Sequence, residues 1–333
     1  MSAGTIYVQT NEAERNRVIA FARDSAGRLD SMRSAETGGR GDGVPHLTSQ
    51  GSVVLTGDGE RLLVTNAGSG DLSVFAVDGL GLLQTIRTGA APKSVSEHGG
   101  LVYVLNTGDP SIVGFRLGEN LELAGRADLP VGSDPAQVGL TPDGSTLVVT
   151  DRASDAILLY PVGGDGALGE PRIESSSGPT PYGFAFTSDG TLLVTEAFGA
   201  ETGKAAASSY RVGDGAATRV SRSVGNGRSE ICWAVVSRDD RYVFTTNFAD
   251  GAVSRYAIEP GGSIALEDAA AAVSVEGRPG LRDEALTSDG AFLYAIDADS
   301  GHVFGWSVGE DGRLSAVGSW DGLPATVAGI AAS

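Results

Sequence analysis

Short apolar runs recur along the chain, each closing on Asn, Asp or Glu and each followed, after a turn, by a second apolar run carrying an aromatic residue. Leu62-Leu63-Val64-Thr65-Asn66 precedes Leu72-Ser73-Val74-Phe75, and Val102-Tyr103-Val104-Leu105-Asn106 precedes Ile112-Val113-Gly114-Phe115. The same pair returns around Asp151 and Tyr160, Glu196 and Tyr210, Asn247 and Tyr256, Asp297 and Trp306, and at the start around Asn11 and Phe21. The closing polar residues are separated by 55, 40, 45, 45, 51 and 50 residues, which suits one structural unit with variable loops. Ahead of most copies stands another apolar run that ends in a turn such as Thr56-Gly57-Asp58-Gly59, Thr141-Pro142-Asp143-Gly144 or Thr287-Ser288-Asp289-Gly290. Asp-Gly between apolar runs is a hairpin signal, because the turn needs a positive φ. A further turn and strand follow the aromatic run, as at Gly163-Gly164-Asp165-Gly166, and no apolar pattern at helical spacing appears.

Seven copies of a four-stranded antiparallel unit predict an all-β, seven-bladed β-propeller forming a single domain over residues 1–333. A lone blade cannot bury both of its faces, whereas a closed ring buries each blade between two neighbours. The chain opens on a second-strand motif, Ile6 to Asn11, and ends on Pro324 to Ala332, which reads as an orphan first strand. The C-terminal strand is therefore expected to complete the N-terminal blade. An open solenoid predicts no such complementary ends.

Composition narrows the partners. With 24 Lys+Arg against 42 Asp+Glu, the formal net charge is −18, which repels nucleic acid and anionic lipid surfaces. No run of about 18 apolar residues marks a membrane helix. One cysteine, Cys232, allows no internal disulfide, and with three histidines a structural zinc site is not expected. The first residues carry no basic-then-apolar leader, so the expectation is a cytoplasmic, soluble monomer with a small-molecule substrate, no cofactor and no metal.

The blade pattern, with its Asp-Gly turn, Leu-Val-Thr-Asn-like strand and Ser-x-Phe/Tyr strand, resembles the lactonase-type seven-bladed propellers over nearly the whole chain. That family includes propeller-type 6-phosphogluconolactonases and carboxymuconate-lactonizing enzymes. Pro181-Tyr182-Gly183-Phe184, Thr195-Glu196-Ala197-Phe198-Gly199 and Ile231-Cys232-Trp233-Ala234 carry the likeness most clearly. The resemblance implies a propeller fold and lactonase-like chemistry. It also implies His and Arg at the starts of the innermost strands, where this chain instead has Lys93, Ala136, Tyr182, Cys232 and Arg282. Binding propellers of the YVTN type share the Thr-Asn strand ending.

Propeller geometry directs the search for a site. Inner-strand starts and second-strand ends emerge on one face, because adjacent strands are antiparallel. The segment Leu281-Arg282-Asp283-Glu284 puts three charges on a channel-facing strand, which is costly unless they are paired or used. The functional reading makes Arg282, helped by Lys93, an anion clamp and assigns proton transfer to Glu196, Asp283 or Glu284. The alternative is an inter-blade salt bridge. Glu196 precedes the longest insertion, Ala197 to Ala207, a lid or a plain connector. His46, in a loop before Gln50, is the one channel-side histidine and so a candidate general base. Tyr182, Trp233, Gln137 and Gln50 are expected to shape the pocket. Cys232 and Trp233 alternate on one strand, so only one of them is expected to face the channel. The resulting expectation is a lactonase-like enzyme working at the channel mouth on a small polar or anionic substrate. A non-catalytic binding propeller and an isomerase, lyase or cyclase are the alternatives.

Overall fold

The computed structural model describes residues 3–44 and 50–333 and arranges them as seven four-stranded antiparallel sheets. Numbered in chain order, blade 1 holds Gly4–Gln9, Arg17–Arg23 and Leu29–Glu36, and its innermost strand is the C-terminal Ile330–Ala332. Tyr7 pairs with Ala331 in that sheet, so the end of the chain closes the ring on its beginning. The inner strands of blades 2 to 7 are Val53–Leu55, Pro92–His98, Pro135–Leu140, Pro181–Phe186, Ile231–Val236 and Leu281–Leu286. The only helical turns among the described residues are two of three residues each, Asp78–Leu80 and Phe198–Ala200.

The second strands read as continuous apolar runs because both of their faces are covered. Leu62 and Val64 pack toward Tyr7, Val18 and Ala331 of blade 1, while Leu63 between them packs toward Val102 and Val104 of blade 3. The same division repeats around the ring, down to Tyr294 and Ile296 of blade 7 against Ile6 and Val8 of blade 1. Alternation along a strand therefore sorts side chains between two neighbouring blades rather than between core and solvent.

In blades 2, 3 and 6 the Asn closing the second strand is turned inward and holds a serine of the third strand. Asn66 donates to Ser73 Oγ at 2.8 Å, Asn247 donates to Ser254 Oγ at 2.9 Å, and Asn106 donates to Ser111 Oγ at 3.2 Å. On the opposite face the inner hairpins share one device. Thr56, Thr141, Thr187, Ser237 and Thr287 donate their hydroxyls to Asp58, Asp143, Asp189, Asp239 and Asp289 at 2.5–2.7 Å. These bonds set the turn, and in the four threonine turns they help hold the Asp carboxyl below its ordinary pKa.

Candidate functional site

The inner strands of blades 5, 6 and 7 start alike. In each the pairing with the second strand slips after the first residue, between Pro181 and Phe184, Ile231 and Ala234, and Leu281 and Glu284. Each is buried over its first four residues and half-exposed over its last two. The axial channel is thus tightly filled where the strands start and accessible where they end. A cavity of about 470 Å³ occupies the axis, with Leu55, Glu97, Phe186, Val236, Leu286 and Ala332 among its lining residues at the strand ends. The accessible space lies on the hairpin side, opposite to the face on which the antiparallel argument placed the mouth. Side chains large enough to meet across the axis fill the strand-start end.

The slip also cancels strict alternation. Cys232 and Trp233 were expected on opposite faces, yet both join one buried cluster with Ala136, Tyr182, Ala197 and Phe248. Trp233 is fully buried and meets the Tyr182 ring edge-on, with centroids 6.0 Å apart. The Cys232 Sγ lies 3.3 Å from the Glu230 carbonyl, and burial pushes its thiol far above the ordinary range, so it is not a thiolate nucleophile. Burial raises the Tyr182 hydroxyl in the same way.

Arg282 belongs to this strand-start cluster. Its guanidinium lies over the Phe248 ring, 4.4 Å from the centroid, and pairs with Asp299 at 3.5 Å. Arg152 covers the Tyr182 ring from outside at 5.1 Å and pairs with Asp134 at 2.6 Å. Phe248 and Arg152 were not singled out from the sequence. Each directly follows the polar residue that closes a second strand, where Ala67, Ala197 and Ala298 stand in other blades. Reading that column for its large members would have found both.

Asp283 and Glu284 leave Arg282 behind and form part of the axial cavity wall. Both are only 2% exposed. Asp283 receives the Glu284 N–H at 2.9 Å and the Ile330 N–H of blade 1 at 3.4 Å, and the Gly51 amide also favours its charged form. Burial outweighs these bonds and raises its carboxyl to about 7. Neither Glu284 oxygen has a hydrogen-bond partner. Burial, reinforced by the neighbouring Asp283, pushes Glu284 well above the ordinary carboxylate range, while the Thr246 backbone amide, outside hydrogen-bonding geometry, acts in the opposite direction.

Of the remaining candidates, Gln50 and Gln137 also line the axial cavity, whereas Lys93 and Glu196 do not. Gln50 reaches across the axis from the start of blade 2 to blade 6, donating to Ala234 O at 2.9 Å and accepting from Ala234 N at 3.1 Å. Gln137 makes the same pair of bonds with Phe184 of blade 5, at 3.0 and 2.7 Å. These amides satisfy the inner edges of strands that have no further strand to pair with. Lys93 pairs with Asp42, which also accepts from Asn11, a different partner from the Phe248 ring and Asp299 that hold Arg282. Glu196 is fully buried inside blade 5, where its Oε1 accepts from Ser208 at 2.6 Å. It plays the same inward part as the Asn residues of the other blades. The insertion after it is tied down by Gly199 N to Thr180 Oγ1, Gly203 N to Ser229 Oγ and Ala205 N to Arg228 O. His46 lies outside the described residues.

Grooves of comparable volume lie farther from the axis, one of about 500 Å³ between Asp189, Asp240, Arg241 and Tyr242. In that groove Asp189 pairs with Arg211 and Arg241 with Asp239. Asp283 and Glu284 are the buried ionisable residues that border the axial cavity.

Comparison with known proteins bears on this arrangement. No helix of the described chain is long and apolar enough to cross a membrane. Curated proteins give no match. Among solved structures, a protein of Lactobacillus plantarum aligns over 100% of both chains at 17% identity with a TM-score of 0.78. A periplasmic gluconolactonase of Pseudomonas aeruginosa aligns over 98% of both chains at 17% identity, TM-score 0.76. A Bacteroides uniformis protein described as a candidate 6-phosphogluconolactonase aligns over 98% of this chain and 99% of its own, at 19% identity and TM-score 0.75. These likenesses speak to the fold. The family model for "Lactonase, 7-bladed beta-propeller" matches residues 123–198 and 196–321, more than half of the sequence, and the chain belongs to that lactonase family of seven-bladed propellers.

Proposed function

We propose that this protein hydrolyses a ring ester in the axial cavity, with Asp283 as general base and Glu284 as hydrogen-bond donor to the ester carbonyl. The observation that carries the reading is the adjacent carboxyl pair bordering the cavity, Asp283 raised to about 7 and Glu284 raised well above its ordinary value, both by burial. Backbone N–H groups favour the charged form of Asp283, the proton acceptor, while Glu284, without a close donor and beside that charge, stays neutral and donates a hydrogen bond.

In the reaction, the Asp283 carboxylate takes a proton from water as the water oxygen bonds to the ester carbon. The carbonyl oxygen, gaining negative charge, accepts from the Glu284 O–H. Collapse of the tetrahedral intermediate re-forms the carbonyl and breaks the ring C–O bond. Asp283 returns its proton to the leaving alkoxide, giving a hydroxy acid. Glu284, without a partner of its own, gains one from the bound ester. Arg282 stays behind the wall, steadying the strand through Phe248 and Asp299.

Acid release from a panel of γ- and δ-lactones tests the reading. The expected rate rises with pH through about 7 as Asp283 ionises, and loss of the Glu284 proton lowers it. The doubly engaged amides of Gln50 and Gln137 favour the second reading, a propeller that binds without catalysis. Lactone binding without acid release at any pH selects it.

A further inference from the structure

We propose that the axial cavity accepts uncharged ring esters bearing an apolar substituent and excludes phosphorylated or carboxylated lactones. The inference rests on the hydrolytic reading above and adds its substrate class.

The walls carry the argument. Val54, Leu55, Phe186, Val235, Val236 and Leu286 are the part-exposed apolar residues of the lining, and among the described residues none that line it is Lys, Arg or His. Among the described residues, those of the lining able to carry charge are Glu97, Asp283 and Glu284, all acids. Glu97 accepts the N–H groups of Gly57 and Gly100 at 2.7 and 2.9 Å, so it stands at the rim as a hydrogen-bonded carboxylate. A phosphate or carboxylate entering this space meets no cation, loses water and approaches three acids. The cations that a charged lactone would need lie elsewhere: Arg282 against Phe248 and Asp299, Arg152 against Asp134, Lys93 against Asp42. A volume of about 470 Å³ falls within the usual range for small-molecule pockets and leaves room for an apolar group beside the ring. The net charge of −18 acts in the same direction at long range.

The chemistry gives the exclusion a use. Ring opening turns an uncharged ester into a carboxylate, so the product acquires the charge that the wall repels. Affinity for substrate and release of product then follow from one arrangement.

The experiment pairs two measurements on the full chain. Calorimetry compares three ligands: an alkyl-substituted δ-lactam as an unreactive mimic, the same lactam carrying a carboxylate, and an alkylammonium of equal size. Acid release compares the matching lactones. The alkyl lactam is expected to bind at least 10-fold more tightly than its carboxylated partner, and the alkyl lactone to be turned over at least 100-fold faster. Val236→Lys, which puts a cation on the half-exposed rim, is expected to narrow the lactam gap about 10-fold by improving the carboxylated ligand. Equal or stronger binding of the carboxylated lactam overturns the inference, as does exclusive binding of the ammonium or no binding of either lactam. Selective lactam binding without turnover leaves the substrate class standing and removes the hydrolytic reading. Turnover that favours the carboxylated lactone does the reverse.

Discussion

Blades 6 and 7 present inner strands of the same length, the same burial order and the same slip after the first residue, yet one reads Ile231-Cys232-Trp233-Ala234 and the other Leu281-Arg282-Asp283-Glu284. The second position in each points into the strand-start cluster, where the Cys232 thiol and the Arg282 guanidinium both approach Tyr182. The third position differs most. Trp233 fills its space with an aromatic ring against Tyr182, whereas Asp283 reaches backbone amides of blades 1 and 2. The fourth position carries Ala234 in the apolar layer between blades 5 and 6, and its counterpart Glu284 sits in an equally dry place with no partner. One backbone thus supports an apolar plug in one blade and a strained ionisable pair in the next. Packing accounts for the first and leaves the second unexplained.

Breaking the pair should have the largest effect. Asp283→Asn keeps the shape but removes the base, and lactone hydrolysis is expected to fall about 10²- to 10⁴-fold in kcat/KM with folding retained, as read by acid release and circular dichroism. Unchanged kinetics in a folded variant would remove Asp283 from the mechanism. Breaking the plug acts on stability instead. Trp233→Ala empties a fully buried site and is expected to cost about 3–5 kcal/mol in denaturant unfolding. A loss under about 1 kcal/mol would show that the axis is not tightly filled.

The two regions also separate by pH. Asp283 has a folded pKa raised from 3.8 to about 7, so the folded state binds the extra proton in that window and stability falls as pH rises through it. Glu284 extends the trend upward. The hairpin aspartates Asp58, Asp143 and Asp189 have depressed folded values, so their contribution is present above the ordinary Asp pKa and is lost as pH falls below it. Melting temperature is therefore expected to drop on both sides of a maximum near the lower end of the 4–7 window. Asp283→Asn should flatten the alkaline side alone. A wild-type melting temperature that is level from pH 4 to 8 would contradict the raised Asp283. The smallest effect concerns Cys232. Its buried thiol is expected to resist a thiol-reactive dye in the folded protein and to react only on unfolding, a contrast that rapid labelling of the native state would refute.

The propeller was legible from the sequence because a ring of identical units imposes the same local demands seven times. Each blade needs an apolar second strand, a polar residue to close it and a hairpin turn, so Leu62 to Asn66 and Leu147 to Asp151 repeat one solution. The closing of blade 1 by Ile330–Ala332 followed from the same count. The candidate site was less legible. Glu196 stood out because it replaces Asn, but its side chain holds Ser208 just as Asn247 holds Ser254. The charged run at Arg282 to Glu284 stood out correctly as unusual, yet the sequence joined residues that the fold divides.

That division depends on a one-residue slip in pairing, which turns Arg282 to the filled face and leaves Asp283 and Glu284 on the axial wall. Local sequence carries no mark of such a slip, since it is settled by how neighbouring blades pack. Residue order by itself specified the strands, their number and the ring they close, because those follow from periodic burial along each segment. Which end of the axis stays open, which cations are consumed in pairs and which carboxyls are left dry were decided by the tertiary structure, because each depends on groups that approach one another only when distant blades meet.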